Sequence, residues 1–133
     1  MGTIYGSMSW YDSGPNNTTA CGNPFSTSIA DSTSFVAWPL LNGYPGNPAS
    51  ACNPYALNCE TTITVQNICN GWMQRCPVID HAGSGVMCQY AVSSACTCTA
   101  ARPRILDASK ALMFQLGNSA AVSAGWIPVL VTF

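Results

Sequence analysis

Apolar and polar residues alternate with a period of two from Thr3 to Tyr11: Ile4, Gly6, Met8 and Trp10 fall on one side, Tyr5, Ser7, Ser9 and Tyr11 on the other. This predicts a first β-strand. The same period returns in Thr61 to Ile68 (TTITVQNI), and at the end of the chain, where Ile127, Val129, Val131 and Phe133 alternate with Pro128, Leu130 and Thr132. Ser34 to Leu41 (SFVAWPLL) is uniformly apolar and reads as a short buried strand. Between Thr61 to Ile68 and Trp72 to Ile79 stands Asn70-Gly71, whose residues tolerate the positive φ of a type I′ turn, so a hairpin is predicted with Cys69 and Cys76 bracketing it. Pro77 has no amide hydrogen and belongs at an edge or a bulge. One helix is predicted over Asp107 to Leu116: Ala108, Ala111, Leu112 and Leu116 share a face, Asp107 stands at the N-cap and Gly117 at C′.

The intervening segments read as loops. Asp12 to Pro24 and Asn42 to Pro54 are rich in Ser, Gly, Asn, Thr and Pro, and His81 to Ala101 carries three cysteines with little periodicity. There is no internal repeat. Many short strands and one helix predict a mainly β fold, a small barrel, because closure removes exposed strand edges. A length of 133 residues suits one core, so a single domain over residues 1–133 is expected.

Composition adds the compartment. The eight cysteines (Cys21, Cys52, Cys59, Cys69, Cys76, Cys88, Cys96, Cys98) are even in number and contain no CxxC pair of the zinc or thioredoxin kind. Four disulfides are expected, a chemistry that persists in an oxidising compartment, so the protein is expected to be secreted and extracellular. Met1-Gly2 reads as an expression start on a mature protein. With four basic and five acidic residues there is no electrostatic footprint for nucleic acid or an anionic membrane. No apolar run approaches the roughly 20 residues that span a bilayer. Two overlapping sequons at Asn16 and Asn17 could accept N-glycans. A monomer is expected.

Three landmarks stand in order: Met8-Ser9-Trp10-Tyr11-Asp12 with Ala20-Cys21-Gly22 soon after, Pro77-Val78-Ile79-Asp80 at the hairpin end, and Arg104-Ile105-Leu106-Asp107-Ala108-Ser109. Together they resemble the double-psi β-barrel superfamily, which includes barwin, expansins, fungal loosenins, kiwellins, family 45 glycoside hydrolases and rare lipoprotein A transglycosylases. The resemblance runs from Met8 to Phe133, interrupted by the loops Asn42 to Cys59 and His81 to Ala101. The cysteine-bearing insertion is similar to kiwellins and the Ser-Trp-Tyr-Asp opening to loosenins. A six-stranded double-psi barrel with one short helix and long stapled loops is what this resemblance implies.

It also implies a groove across one barrel face, with Asp107 in it, Asp80 as a second carboxylate, and Ser9 and Tyr11 as first-strand groove residues. An alternative alignment puts Asn67 in the place of Asp80; the Asn70-Gly71 turn favours Asp80. Family 45 hydrolases resemble this chain in an Asp at Asp12, which serves there as a base. Glycoside cleavage requires a proton-donating carboxyl and usually a second carboxylate, so Asp107 with Asp12, or with Asp80, is the pair an enzyme would use. Each residue has a structural alternative: Asp107 as a cap alone, Asp80 as a hairpin-end acceptor, Asp12 as a turn residue before Ser13-Gly14-Pro15; Arg102 and Arg104, around Pro103, read either as contacts to a groove ligand or, by default, as solvating a loop. His81 is the only histidine and suggests no metal site. Of Trp10, Trp38, Trp72 and Trp126, Trp72 is expected to be exposed beside the groove, as is Tyr11.

Three functions follow from this reading. The first is binding of cell-wall polysaccharide without hydrolysis, expansin- or loosenin-like; the second is a defence or effector protein that binds an extracellular protein, as kiwellins and barwin-like inhibitors do; the third is a glycosidase or lytic transglycosylase. None of the three calls for a cofactor.

Overall fold

The computed structural model describes residues 2–12, 17–45, 51–82, 87–91 and 100–133, and within them the alternating segments are strands. In chain order the elements are β1 (Thr3–Trp10), β2 (Asn17–Thr18), β3 (Pro24–Phe25), α1 (Thr27–Ser32), β4 (Val36–Trp38), β5 (Thr62–Asn67), β6 (Met73–His81), β7 (Tyr90–Ala91), β8 (Arg102–Ala108), α2 (Lys110–Ala124) and β9 (Trp126–Thr132). Strands pair in the order β1, β9, β5, β6, β4, β8, and β8 pairs again with β1, so six strands close into a barrel. The ring is mixed: β1–β8 and β4–β6 are parallel, the other pairs antiparallel. This is the six-stranded architecture that the resemblance implies. β7 is an addition to the outer edge of β8, and β2 and β3 form a separate two-stranded ladder.

The inward positions of each strand fill the barrel. Met8, Val36, Ile63, Val65, Val78, Ile127, Val129 and Val131 form one core with Leu112, Met113 and Leu116 of α2. Burying such a side chain contributes about 1.5–3 kcal/mol. Gly6 is part of this packing, because a Cβ there would come within 2.6 Å of Ile105. A second cluster outside the barrel joins Phe25, Ala30, Phe35 and Ile79, with Phe25 and Phe35 edge to face at 5.4 Å. No helix among the described residues is long and apolar enough to cross a membrane.

Several expectations are corrected here. Arg102–Ala108 is strand, so Asp107 caps nothing; the N-cap of α2 is Ser109, whose hydroxyl accepts from the Leu112 amide. Tertiary pairing with β1 and β4 overrides the helical spacing of Asp107 and Ala108. The helix also continues past Gly117, with a break at Asn118 (φ 59), and ends at Gly125 in the left-handed region. Two amides, from Asn67 and Asn70, donate to the Leu116 carbonyl just before that break. α1, absent from the sequence reading, has six residues, too few to show a period; Ser26 caps it by accepting from the Ile29 amide. The hairpin joins β5 to β6, but its loop runs from Asn67 to Trp72, with Gly71 at φ 80 and Asn70 outside the positive-φ residues, so it is no two-residue turn.

Disulfides join Cys21 to Cys59 and Cys52 to Cys88, and Cys69 is also disulfide-bonded. Cys76, expected in a disulfide, is a free buried thiol, because β6 turns it into the barrel opposite Ile63. Burial pushes its thiol up to about 12. Cys96, Cys98 and the glycosylation candidate Asn16 lie outside the described residues.

Candidate functional site

The register of the barrel places five residues in one row. Asp80 on β6 pairs with Ala37 on β4, Ala37 with Asp107 on β8, Asp107 with Ser9 on β1, and Ser9 with Trp126 on β9. Residues directly opposite in a ladder project from the same face, so all five side chains share the outer face.

Two bulges make the row. Ser7 pairs with Arg104 but Met8 with Leu106, leaving Ile105 as an extra residue in β8. Ile105 and Leu106 are both fully buried. In a regular strand Arg104 and Asp107 would point to opposite faces; the extra residue brings them to the same one. They form a buried ion pair between Arg104 Nη2 and Asp107 Oδ2. The Ser9 hydroxyl donates to the other oxygen, Oδ1. Asn53, fully buried, donates its amide to the Ile105 carbonyl at 3.0 Å and so steadies the bulge. The neighbouring Cys52 is tied to Cys88, whose amide donates to the Arg104 carbonyl at 3.0 Å, while the Arg104 amide donates to Gln89 at 2.9 Å. A second bulge, between Val36–Val78 and Ala37–Asp80, positions Asp80.

Asp80 is as fully engaged as Asp107. Its Oδ2 accepts from the Tyr11 hydroxyl at 2.8 Å, and its Oδ1 from the amides of Ala20 at 2.8 Å and His81 at 3.0 Å. Burial, then the negative charge of Asp80, pushes the Tyr11 hydroxyl well above its ordinary pKa. Tyr11 is therefore not the exposed groove aromatic that was expected; its ring lies edge to face with Phe25 and Phe35. Between the two carboxylates, Ala82 and Met87 pack with Ala37, and Tyr11 closes against them.

The open part of the row is on the other side of Asp107. Ser9, Trp10, Arg104, Ser123 and Trp126 line a cleft of about 410 Å³. The Arg104 guanidinium stacks over Trp126 at 5.5 Å, and the Trp10 indole donates to the Val122 carbonyl at 2.9 Å. Asp107 lies beneath this cleft, 7% exposed, and orients Arg104 from below.

Of the residues expected in the groove, Ser9, Tyr11, Asp80 and Asp107 are brought together and two are not. Trp72 is exposed as expected, but it stands eight residues along β6 from Asp80, about 26 Å at strand rise. Asp12 leaves the row and accepts from the Thr27 hydroxyl at 2.9 Å, at the start of α1. Asn67 lies at the end of β5 and serves the Leu116 carbonyl, so it is Asp80 that shares the row with Asp107. Arg104, Trp126 and Asn53 also line or support the candidate site; from sequence Arg104 reads as a groove contact or, by default, as solvating a loop, Trp126 is not picked for exposure, and Asn53 is not singled out. The bulge that selects them leaves no local signal beyond an uninterrupted apolar pair, Ile105-Leu106.

With its closed, mixed six-stranded ring this protein has the double-psi β-barrel fold, shared with two solved structures. It is similar across 98% of its length to the Streptomyces papain inhibitor, of which it covers 93%, with a TM-score of 0.55 and 21% identity. It is also similar to an expansin of Clavibacter michiganensis in its apo form, with a TM-score of 0.50 and 20% identity; it spans 50% of that chain. No protein-family model and no curated protein matches the chain.

Proposed function

We propose that this is a secreted protein that binds cell-wall polysaccharide without cleaving it, along the outer face of β9, β1 and β8. The observation that carries the reading is the engagement of both carboxylates: Asp107 accepts at both oxygens from Ser9 and Arg104, and Asp80 from Tyr11 and two amides. They act as acceptors that shape the surface, and the interval between them is filled. Beside them the cleft offers two tryptophans, two serines and an arginine, the mixture of flat apolar faces and hydrogen-bonding groups that suits a sugar chain. Its disulfides support secretion. The test is retention on cellulose, chitin or peptidoglycan with no release of reducing sugar. Trp126→Ala is expected to weaken retention about tenfold, the loss of one stacking contact of roughly 1.4 kcal/mol. Absence of binding to these three polymers and to an acidic wall polysaccharide overturns the reading.

The second reading is a protein partner, with the chain acting as a protease inhibitor. It is favoured by the match over nearly the whole of both chains to the Streptomyces papain inhibitor, and by the covering of the Asp80–Asp107 interval. Inhibition of papain by the intact chain, with no retention on polysaccharide, would select it.

A further inference from the structure

We infer, building on the polysaccharide reading, that the polymer is acidic, carrying carboxylates on its sugar rings, and is not a neutral glucan. The chain has four cationic side chains and a formal net charge of −1, but the fold gathers three of the four on one side. Arg102 stacks over Tyr5 at 5.2 Å, Arg104 over Trp126 at 5.5 Å, and Lys110 over Trp10 at 5.8 Å. Arg102 and Arg104 are two residues apart on β8, and Trp10 and Trp126 are walls of the same cleft. From Tyr5 to Ser9 the outer face of β1 runs about 13 Å, with Ser7 between them.

Charge accounting separates the three cations. Arg104 is held by Asp107 from beneath, and Lys110 lies 4.0 Å from Asp31. Among the described residues no carboxylate pairs with Arg102. The Nε donors of both Arg102 and Arg104 are buried without an acceptor. An arginine fork stacked on an aromatic ring is pre-organised for a planar carboxylate, which accepts two parallel hydrogen bonds. A uronic acid presents such a carboxylate on a ring whose face can stack on Tyr5 or Trp126; a neutral glucan leaves the Arg102 charge unanswered. Three cations are few for nucleic acid, whose binding rests on neutralising a run of phosphates.

The experiment titrates the full disulfide-intact chain with polygalacturonate, with an uncharged β-glucan of similar length and with a single-stranded oligonucleotide. It is done at low salt and near 1 M NaCl, where the Debye length is about 3 Å. Polygalacturonate is expected to bind at low salt and at least about tenfold more weakly at high salt. Arg102→Gln should weaken it about tenfold, the loss of one charge-assisted hydrogen bond. Arg75→Gln, which removes the same charge from β6, should leave it unchanged. Equal weakening by Arg75→Gln, salt-independent binding, or preference for the oligonucleotide overturns the inference. Binding of the β-glucan alone overturns it while leaving the polysaccharide reading standing; no binding to either sugar polymer overturns it, and the polysaccharide reading falls with it only when cellulose, chitin and peptidoglycan also fail to retain the chain.

Discussion

Arg104 and Asp107 are three residues apart on one strand and yet meet as a buried ion pair on one face, because Ile105 is an extra residue in the β1–β8 ladder. The candidate site depends on that geometric shift. It converts a strand, whose neighbours alternate, into a surface where a cation is held from below and presented beside Trp126.

Removing Asp107 strands a buried guanidinium. Asp107→Ala should destabilise the fold by about 3–5 kcal/mol, the usual cost of breaking one side of a buried pair. Ser9→Ala, which removes only the hydroxyl donor, should cost about 1.5–3 kcal/mol. Urea denaturation of both variants checks this; near-wild-type stability for Asp107→Ala would refute the positioning role.

Gly6→Ala should lower stability by about 1–3 kcal/mol, since the new methyl would lie 2.6 Å from Ile105 and push against the bulge. The measurement is the denaturation midpoint. A combined Gly6→Ala, Ile105→Val variant should recover part of the loss.

Cys76 makes stability fall in alkali. Its folded pKa, about 12, lies above the ordinary value of 9.0, so the unfolded chain loses the thiol proton first. The contribution is complete below pH 9.0 and is lost as pH rises towards about 12. Denaturation midpoints followed upward from pH 8 should decline, and less so in Cys76→Val. At neutral pH the native thiol should resist a thiol reagent that labels it in denaturant.

Opening Cys52–Cys88 should loosen Arg104. The bridge closes a separation of 36 residues, and its removal as Cys52→Ala with Cys88→Ala should cost about 2–4 kcal/mol. Hydrogen exchange at the Arg104 amide, which donates to Gln89, should accelerate more than exchange in β5. Uniform acceleration would show that the bridge stabilises the fold without acting on the site.

Much of the barrel was legible because a half-buried strand writes its period into the chain. Ile63 and Val65 of β5, and Ile127, Val129 and Val131 of β9, are buried as their alternation predicts. The β8 strand was misread where it meets the helix, since Asp107, Ala108 and Ala111 satisfy a helical face as well as the end of a strand; only the partners β1 and β4 decide between them. Trp72 was placed in the groove by type and exposure, and the length of β6 takes it away.

Taken alone, the sequence determined the β-rich class, the inward positions, the resemblance that singled out Ser9, Tyr11, Asp80 and Asp107, and a cysteine content suited to an oxidising compartment. Tertiary structure alone decided that Cys76 stays free, that Tyr11 is half-buried and bonded to Asp80, and that Arg104 and Trp126 join Ser9 and Asp107. The physical reason is register. Periodicity is a local property that each strand carries within itself, whereas the row from Asp80 to Trp126 crosses five strands and is set by pairing and by two bulges that no single segment encodes.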